Sequence, residues 1–220
     1  MATLTAEAAS DLFRAAPDRW IDVGAGEAAL RSVGSGPDVL FVHGWPVSGA
    51  TWRCLLPYLV DPVTCHVIDL PSSGSSRFDT TTNLSVEQHV LSVRRIVDHL
   101  DVDRLAVVGH DSGGMMARQA LSGDPRVRSW GLVDTEQSQG AHWRFASFVQ
   151  VLRRIPNFER LLAWVVMKPK LRRTKFILGD CFHDRSLLSG EFEEFFLEPL
   201  SSNPERLWAA GQLLRNFDFA

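Results

Sequence analysis

Residues 109–114, Gly109-His110-Asp111-Ser112-Gly113-Gly114, follow directly on the apolar run LAVV at 105–108 and lead into a helical pattern that reaches about Leu121. This junction constrains the chain more than any other stretch. A strand that becomes a helix within so few residues must reverse sharply, and small residues two before and two after the central position keep the arms from colliding. Gly109 and Gly113 are those residues, so the register centres the turn on Asp111. Centring it on Ser112 would put His110 where only a small residue fits. Asp tolerates the left-handed backbone of such a turn better than most residues. Its side chain is expected to stand alone above the end of a sheet.

The flanking sequence supplies that sheet. Residues 19–23 and 28–33 read as short strands joined at GAGE, 38–42 (DVLFV) as a strand ending at HGWP, and 63–69 as a strand closed by PSSGSS. A helix is expected over 48–59, with Thr51, Trp52, Leu55 and Leu56 on one side. The next helix is the clearest: Ser85 and Gln88 form a capping-box pattern, and Val86, Val90, Val93, Val97 and Leu100 recur at steps of four and three. Residues 127–133 read as a sixth strand. Strands alternating with amphipathic helices predict an α/β fold, a mostly parallel sheet flanked by helices.

Beyond Asp134 the texture changes to helical patterns at 142–154, 158–167, 191–197 and 204–216. Ten of the 13 Phe residues lie beyond position 137. The expected organisation is an α/β core over 1–136 and a helical subdomain over 137–216. Within the latter, Phe192, Phe195, Phe196 and Leu200 are expected to form its core by helical spacing, as is Trp164 by size. Lys168, Lys170, Arg172, Arg173 and Lys175 are expected on a solvated face.

Composition narrows the functional classes. The 220 residues are 45% hydrophobic and 22% charged, which excludes a disordered or fibrous chain. A formal net charge of -3 gives no pull toward nucleic acid or an anionic membrane. Cys54, Cys65 and Cys181 are too few and too scattered for a disulfide framework or a zinc site. The first twenty residues carry Glu7, Asp11 and Asp18 without an apolar stretch, and the densest apolar run, 161–167, is too short to span a bilayer. A cytoplasmic protein is expected, with neither nucleic acid nor membrane as partner.

Three motifs in order, HGWP at 43–46, DLPSSGSS at 69–76 and GHDSG at 109–113, each after an expected strand, resemble the α/β-hydrolase superfamily over roughly residues 20–220. Ser72 stands where that family's second loop usually has Gly. The resemblance implies the α/β-hydrolase fold with a helical cap inserted after the sixth strand, and no metal or organic cofactor. It makes the turn at 109–113 a nucleophile elbow. An Asp at the elbow resembles the branch of haloalkane dehalogenases, fluoroacetate dehalogenases and epoxide hydrolases. A carboxylate displaces a leaving group at a saturated carbon to give an ester, which water activated by a His then hydrolyses. The resemblance implies Asp111 as catalytic nucleophile, an oxyanion hole from the backbone N–H groups of Trp45 and Ser112, and His43 as loop support rather than base. Asp134, at the end of WGLVD and two residues before Glu136, is the implied acid.

The base His of this fold follows a last strand beyond the cap, yet after Asp134 only His142 and His183 occur. The expectation is a chain lacking the final strands, on the order of 60 residues for two strand–helix units. It would form the ester and stall. The substrate is expected to be a small apolar electrophile held between cap and sheet. Two chemistries stay open. A single tyrosine, Tyr58, leaves epoxide opening without the family's cap acid, although HGWP is the epoxide hydrolase form of its loop. Ser112 stands where dehalogenases usually carry a halide-binding Trp, for which Trp45 or the pair His142 and Trp143 are substitutes. A non-catalytic ligand-binding member and an esterase-like hydrolase are the alternatives.

Overall fold

The computed structural model describes residues 4–135 and 143–216. The chain divides into two compact units, Met1–Gly140 and Ala141–Ala220.

The first unit is built on six strands: β1 (Arg19–Asp22), β2 (Glu27–Gly34), β3 (Asp38–Val42), β4 (Thr64–Asp69), β5 (Leu105–His110) and β6 (Val127–Val133). Their order in the sheet is β1-β2-β4-β3-β5-β6. The β1–β2 hairpin is antiparallel and β2 runs antiparallel to β4, whereas β3 is parallel to both β4 and β5, and β5 to β6. The four parallel strands end on one edge, so the loops after β3, β4, β5 and β6 gather there. Ligands of open α/β sheets bind at that edge.

Helices cover both faces. α3 (Val86–Leu100) opens on Ser85, whose hydroxyl accepts the Gln88 N–H as the capping pattern requires, and ends at Asp101 in the left-handed region. It packs against α4 (Ser112–Leu121), which lies on β5. The other face buries Val39, Phe41, Cys65 and Val67 under Trp52, Leu56 and Ala9. Ala9 belongs to α1 (Ala6–Arg14), a helix capped by the Thr5 hydroxyl that the sequence reading does not contain. The helix expected over 48–59 is instead a 3-10 turn, Gly49–Trp52, followed by α2 (Leu56–Leu59). Pro57 in the first turn of α2 explains the break, because it has no N–H to continue a helix from before it.

The second unit is helical: α5 (Trp143–Leu152), α6 (Phe158–Val166), α7 (Pro169–Arg172), a 3-10 turn at Arg185–Leu188, a π-helical turn at Glu193–Leu197, α8 (Glu198–Ser202) and α9 (Pro204–Asn216). Two expectations change here. Arg172 of the basic run is not on a solvated face: it is 1% exposed and pairs with Glu193, because the π turn brings that carboxylate under α7. Trp164 is not core but 57% exposed, with the Lys168 ammonium 5.6 Å over its ring. Phe196 and Leu197 are buried, and Phe192 and Phe195 are half-buried beside Phe196. Among the described residues no helix is long and apolar enough to cross a membrane, and no group of three or more His, Cys, Asp or Glu is placed to hold a metal ion.

Candidate active site

Asp111 sits between β5 and α4 at φ 51° and ψ -137°. It occupies the capping position of α4, but its side chain makes no capping hydrogen bond. The usual reason for an Asp at a helix start is therefore absent. Its backbone is pinned from β6: Asp111 N–H donates to Val133 O at 3.1 Å, and the Thr135 hydroxyl donates to Asp111 O at 2.7 Å.

The small residues of the turn are required by contact. A Cβ on Gly109 would lie 2.5 Å from Gly114 Cα, and one on Gly113 would lie 2.1 Å from His43 O. The loop after β3 comes equally close. A Cβ on Gly44 would lie 2.4 Å from Asp111 Oδ2. That approach brings Trp45 N–H to 2.9 Å from Asp111 Oδ2 and 3.1 Å from Ser112 Oγ. The Ser112 hydroxyl donates to the same Asp111 oxygen at 3.1 Å. Oδ2 thus holds two donors while no hydrogen bond is recorded to Oδ1 among the described residues.

His43 is 3% exposed and binds the loops together. Its Nε2 accepts Leu70 N–H at 3.0 Å and faces the Ser73 hydroxyl at 2.9 Å. A nitrogen that accepts a backbone N–H carries no proton, so the neutral ring keeps its proton on Nδ1, which donates to Gly44 O at 2.9 Å. Burial pushes His43 below its ordinary pKa, against the opposing pull of Asp69. With both nitrogens engaged it has none to offer a water. Behind it, Asp69 Oδ1 accepts Gly49 N–H at 2.7 Å, and Oδ2 accepts Ser75 N–H at 2.8 Å and Arg31 Nη1 at 3.1 Å. A buried ion pair on β2 and β4 therefore anchors the loops on either side of His43.

Asp134 is exposed, lies at φ 45°, and no hydrogen bond from it to an imidazole is found among the described residues. His142 and Glu136 lie outside the described residues, as does the side chain of Trp143. Tyr58 is exposed on α2. Thr135, Ser73, Gly44 and Asp69 are site residues that the sequence reading does not single out. Gly44 lies in HGWP, and Asp69 and Ser73 lie in DLPSSGSS; Thr135 carried no local signal.

Comparison with known proteins adds relatives. The model of the alpha/beta hydrolase fold family matches residues 37–207. The soluble epoxide hydrolase of Corynebacterium sp. (strain C12) is 36% identical over 86 residues, 39% of this chain and 30% of that protein. A pimeloyl-acyl-carrier-protein methyl ester esterase of Stenotrophomonas maltophilia is 30% identical over 208 residues, 83% of this chain and 77% of that one. Haloalkane dehalogenase 2 of Mycobacterium tuberculosis is 30% identical over 111 residues, 50% of this chain and 39% of that one. Among solved structures, the epoxide hydrolase CorEH without ligand superposes with a TM-score of 0.73 at 22% identity, over 90% of this chain and 72% of its own. The strand order, the turn at Asp111 and the match over residues 37–207 lead to one conclusion: this chain belongs to the alpha/beta hydrolase fold family.

Proposed function

We propose that the chain is a hydrolase whose Asp111 forms a covalent alkyl ester with a small apolar electrophile. One observation carries the reading: Asp111 Oδ2 is held by Trp45 N–H and the Ser112 hydroxyl, while the carboxylate caps nothing. Oδ1 is then the attacking atom. With a haloalkane, the Oδ1–carbon bond forms as the carbon–halogen bond breaks and halide leaves. With an epoxide, the ring carbon–oxygen bond breaks and the ring oxygen takes a proton from water. In either ester Oδ2 is the carbonyl oxygen. When water attacks Cγ, the new negative charge falls on Oδ2, where the Trp45 donor already stands. Asp134 is our assignment for the acid. The ring nitrogens of His43 are taken up by Leu70, Ser73 and Gly44 and activate no water, so the ester is expected to accumulate on this chain.

The relatives support two substrate classes, because one is named an epoxide hydrolase and another a haloalkane dehalogenase. The esterase-like alternative is supported by a relative matching 83% of the chain. It is disfavoured by the residue at the turn, since a carboxylate is a poor nucleophile toward a carboxylic ester. Intact-mass spectrometry after incubation with 1-bromobutane or styrene oxide tests the reading. An alkyl group without halogen, or the whole epoxide mass, is expected on the Asp111 peptide. No adduct on the wild-type chain, or an equal adduct on Asp111→Asn, overturns it.

A further inference from the structure

His89 lies on α3, 1% exposed, with both ring nitrogens against backbone carbonyls. Nδ1 is 2.8 Å from Ser85 O, and Nε2 is 2.6 Å from Pro71 O. A carbonyl oxygen has no proton to give, so each contact needs an N–H on the ring, and a neutral imidazole carries only one. The two contacts together describe an imidazolium. The Ser72 hydroxyl stands 3.3 Å from Nε2. With the neutral ring's one proton kept on Nδ1, toward Ser85 O, that hydroxyl is the donor that serves Nε2. Pro71 O then faces a lone pair and must withdraw. Two arrangements of the turn at 70–73 therefore accompany two protonation states of one ring.

That turn is the one that holds His43. Leu70 N–H and the Ser73 hydroxyl both meet His43 Nε2, and His43 Nδ1 meets Gly44 O, next to the Trp45 N–H that binds Asp111. Ser72, between them, is held at φ 114°, a region costly for any residue with a side chain. A turn kept under such strain moves readily when one of its ties is exchanged.

We infer that His89 is a positioning residue: its proton sets the turn at 70–73 and, through His43, the placement of the Trp45 N–H against Asp111. Burial pushes His89 below the ordinary histidine value of 6.5, and the Ser85 and Pro71 carbonyls pull it back. The exchange falls on the acid side of pH 6.5, with the Pro71 contact made below the transition and lost above it. Ser85 O, Pro71 O and the Ser72 hydroxyl are the polar atoms set against the ring, and among the described residues no carboxylate, guanidinium or ammonium is hydrogen-bonded or paired to it. His43 is the titratable side chain that feels its charge. The geometric claim stands apart from Asp111 chemistry, and only its effect on rate rests on the function proposed above.

The test is an NMR titration of the 15N-labelled 220-residue chain from pH 8 to pH 5. Both His89 ring nitrogens are expected to reach imidazolium shifts with one midpoint below 6.5, and the Ser73 and Trp45 amides to move with that midpoint. In Ser72→Ala the midpoint is expected to rise, because the neutral ring loses its donor. In His89→Gln the Trp45 amide is expected to stay flat. A His89 ring that does not titrate, a neutral ring whose proton sits on Nε2, a flat Trp45 amide in the wild type, or a Trp45 transition that persists in His89→Gln overturns the inference. Joint titration in a chain that forms no adduct upholds it and removes only the covalent reading.

Discussion

Replacing Gly113 with Ala tests the site where its parts touch. The added Cβ would lie 2.1 Å from His43 O, 2.6 Å from His43 C and 2.8 Å from Val42 O. All three are backbone atoms of the strand end and loop that hold the Trp45 donor. Ordinary contact begins at 3.4 Å, so loop and helix must separate by about 1 Å. His43 cannot yield alone, because its ring is fixed to Leu70, Ser73 and Gly44. Overpacking of this kind costs about 1–3 kcal/mol. Losing the charged hydrogen bond from Trp45 to Asp111 adds about 1.5–3 kcal/mol. Ala gains about 1 kcal/mol over Gly in the helix itself. The net loss expected is about 1.5–5 kcal/mol, read from urea unfolding, with a fall in Tm of about 10 °C. Any folded fraction is expected to alkylate Asp111 about 100-fold more slowly, the usual consequence of a 1 Å misplacement. Gly123→Ala is the control: it meets nothing within 4 Å, and its φ of 79° costs only backbone strain of about 1–2 kcal/mol. Full alkylation in a stable Gly113→Ala chain would refute the contact argument.

Two further outcomes follow from buried charge. Asp69→Ala leaves Arg31 buried without its partner and is expected to cost about 3–5 kcal/mol in urea unfolding. Adding Arg31→Met should recover part of that loss, and a single-variant loss under about 1 kcal/mol contradicts the pairing. In the helical unit, the hydrogen bond from Arg172 holds the Glu193 carboxyl below its usual range. A carboxyl depressed in the folded state contributes stability above its unfolded pKa and loses it as pH falls through the lower folded value. Wild type is therefore expected to exceed Glu193→Gln at pH 7 and to lose that margin below about pH 4, as followed by urea midpoints; a margin independent of pH contradicts it.

How much of this was legible in the sequence depends on distance along the chain. The β5–α4 turn is local: Gly109, Asp111 and Gly113 span five residues, and the clash that excludes larger side chains acts between those arms and the adjoining loop. The α3 helix is local too, its cap and stripe lying within one element. The elements over 48–59 and 191–197 were less legible. Apolar spacing alone does not separate an α-helix from a 3-10 or π turn, and there Pro57 and the packing of Phe192, Phe195 and Phe196 decide.

The site's support was not legible, because its partners are distant in sequence. Arg31 meets Asp69 across 38 positions, and Trp45 meets Asp111 across 66. Thr135 carries no pattern of its own, yet it holds the Asp111 backbone because β6 lies beside β5. The amino-acid order by itself determined the alternation of strand and helix and the residue raised at the turn, since turn sterics and side-chain periodicity act within a few residues. Only the tertiary structure decided which oxygen of Asp111 is held, which nitrogen of His43 carries the proton, and that Arg172 is buried. Those outcomes depend on strand order and interhelical packing, which place groups from remote segments within hydrogen-bonding distance.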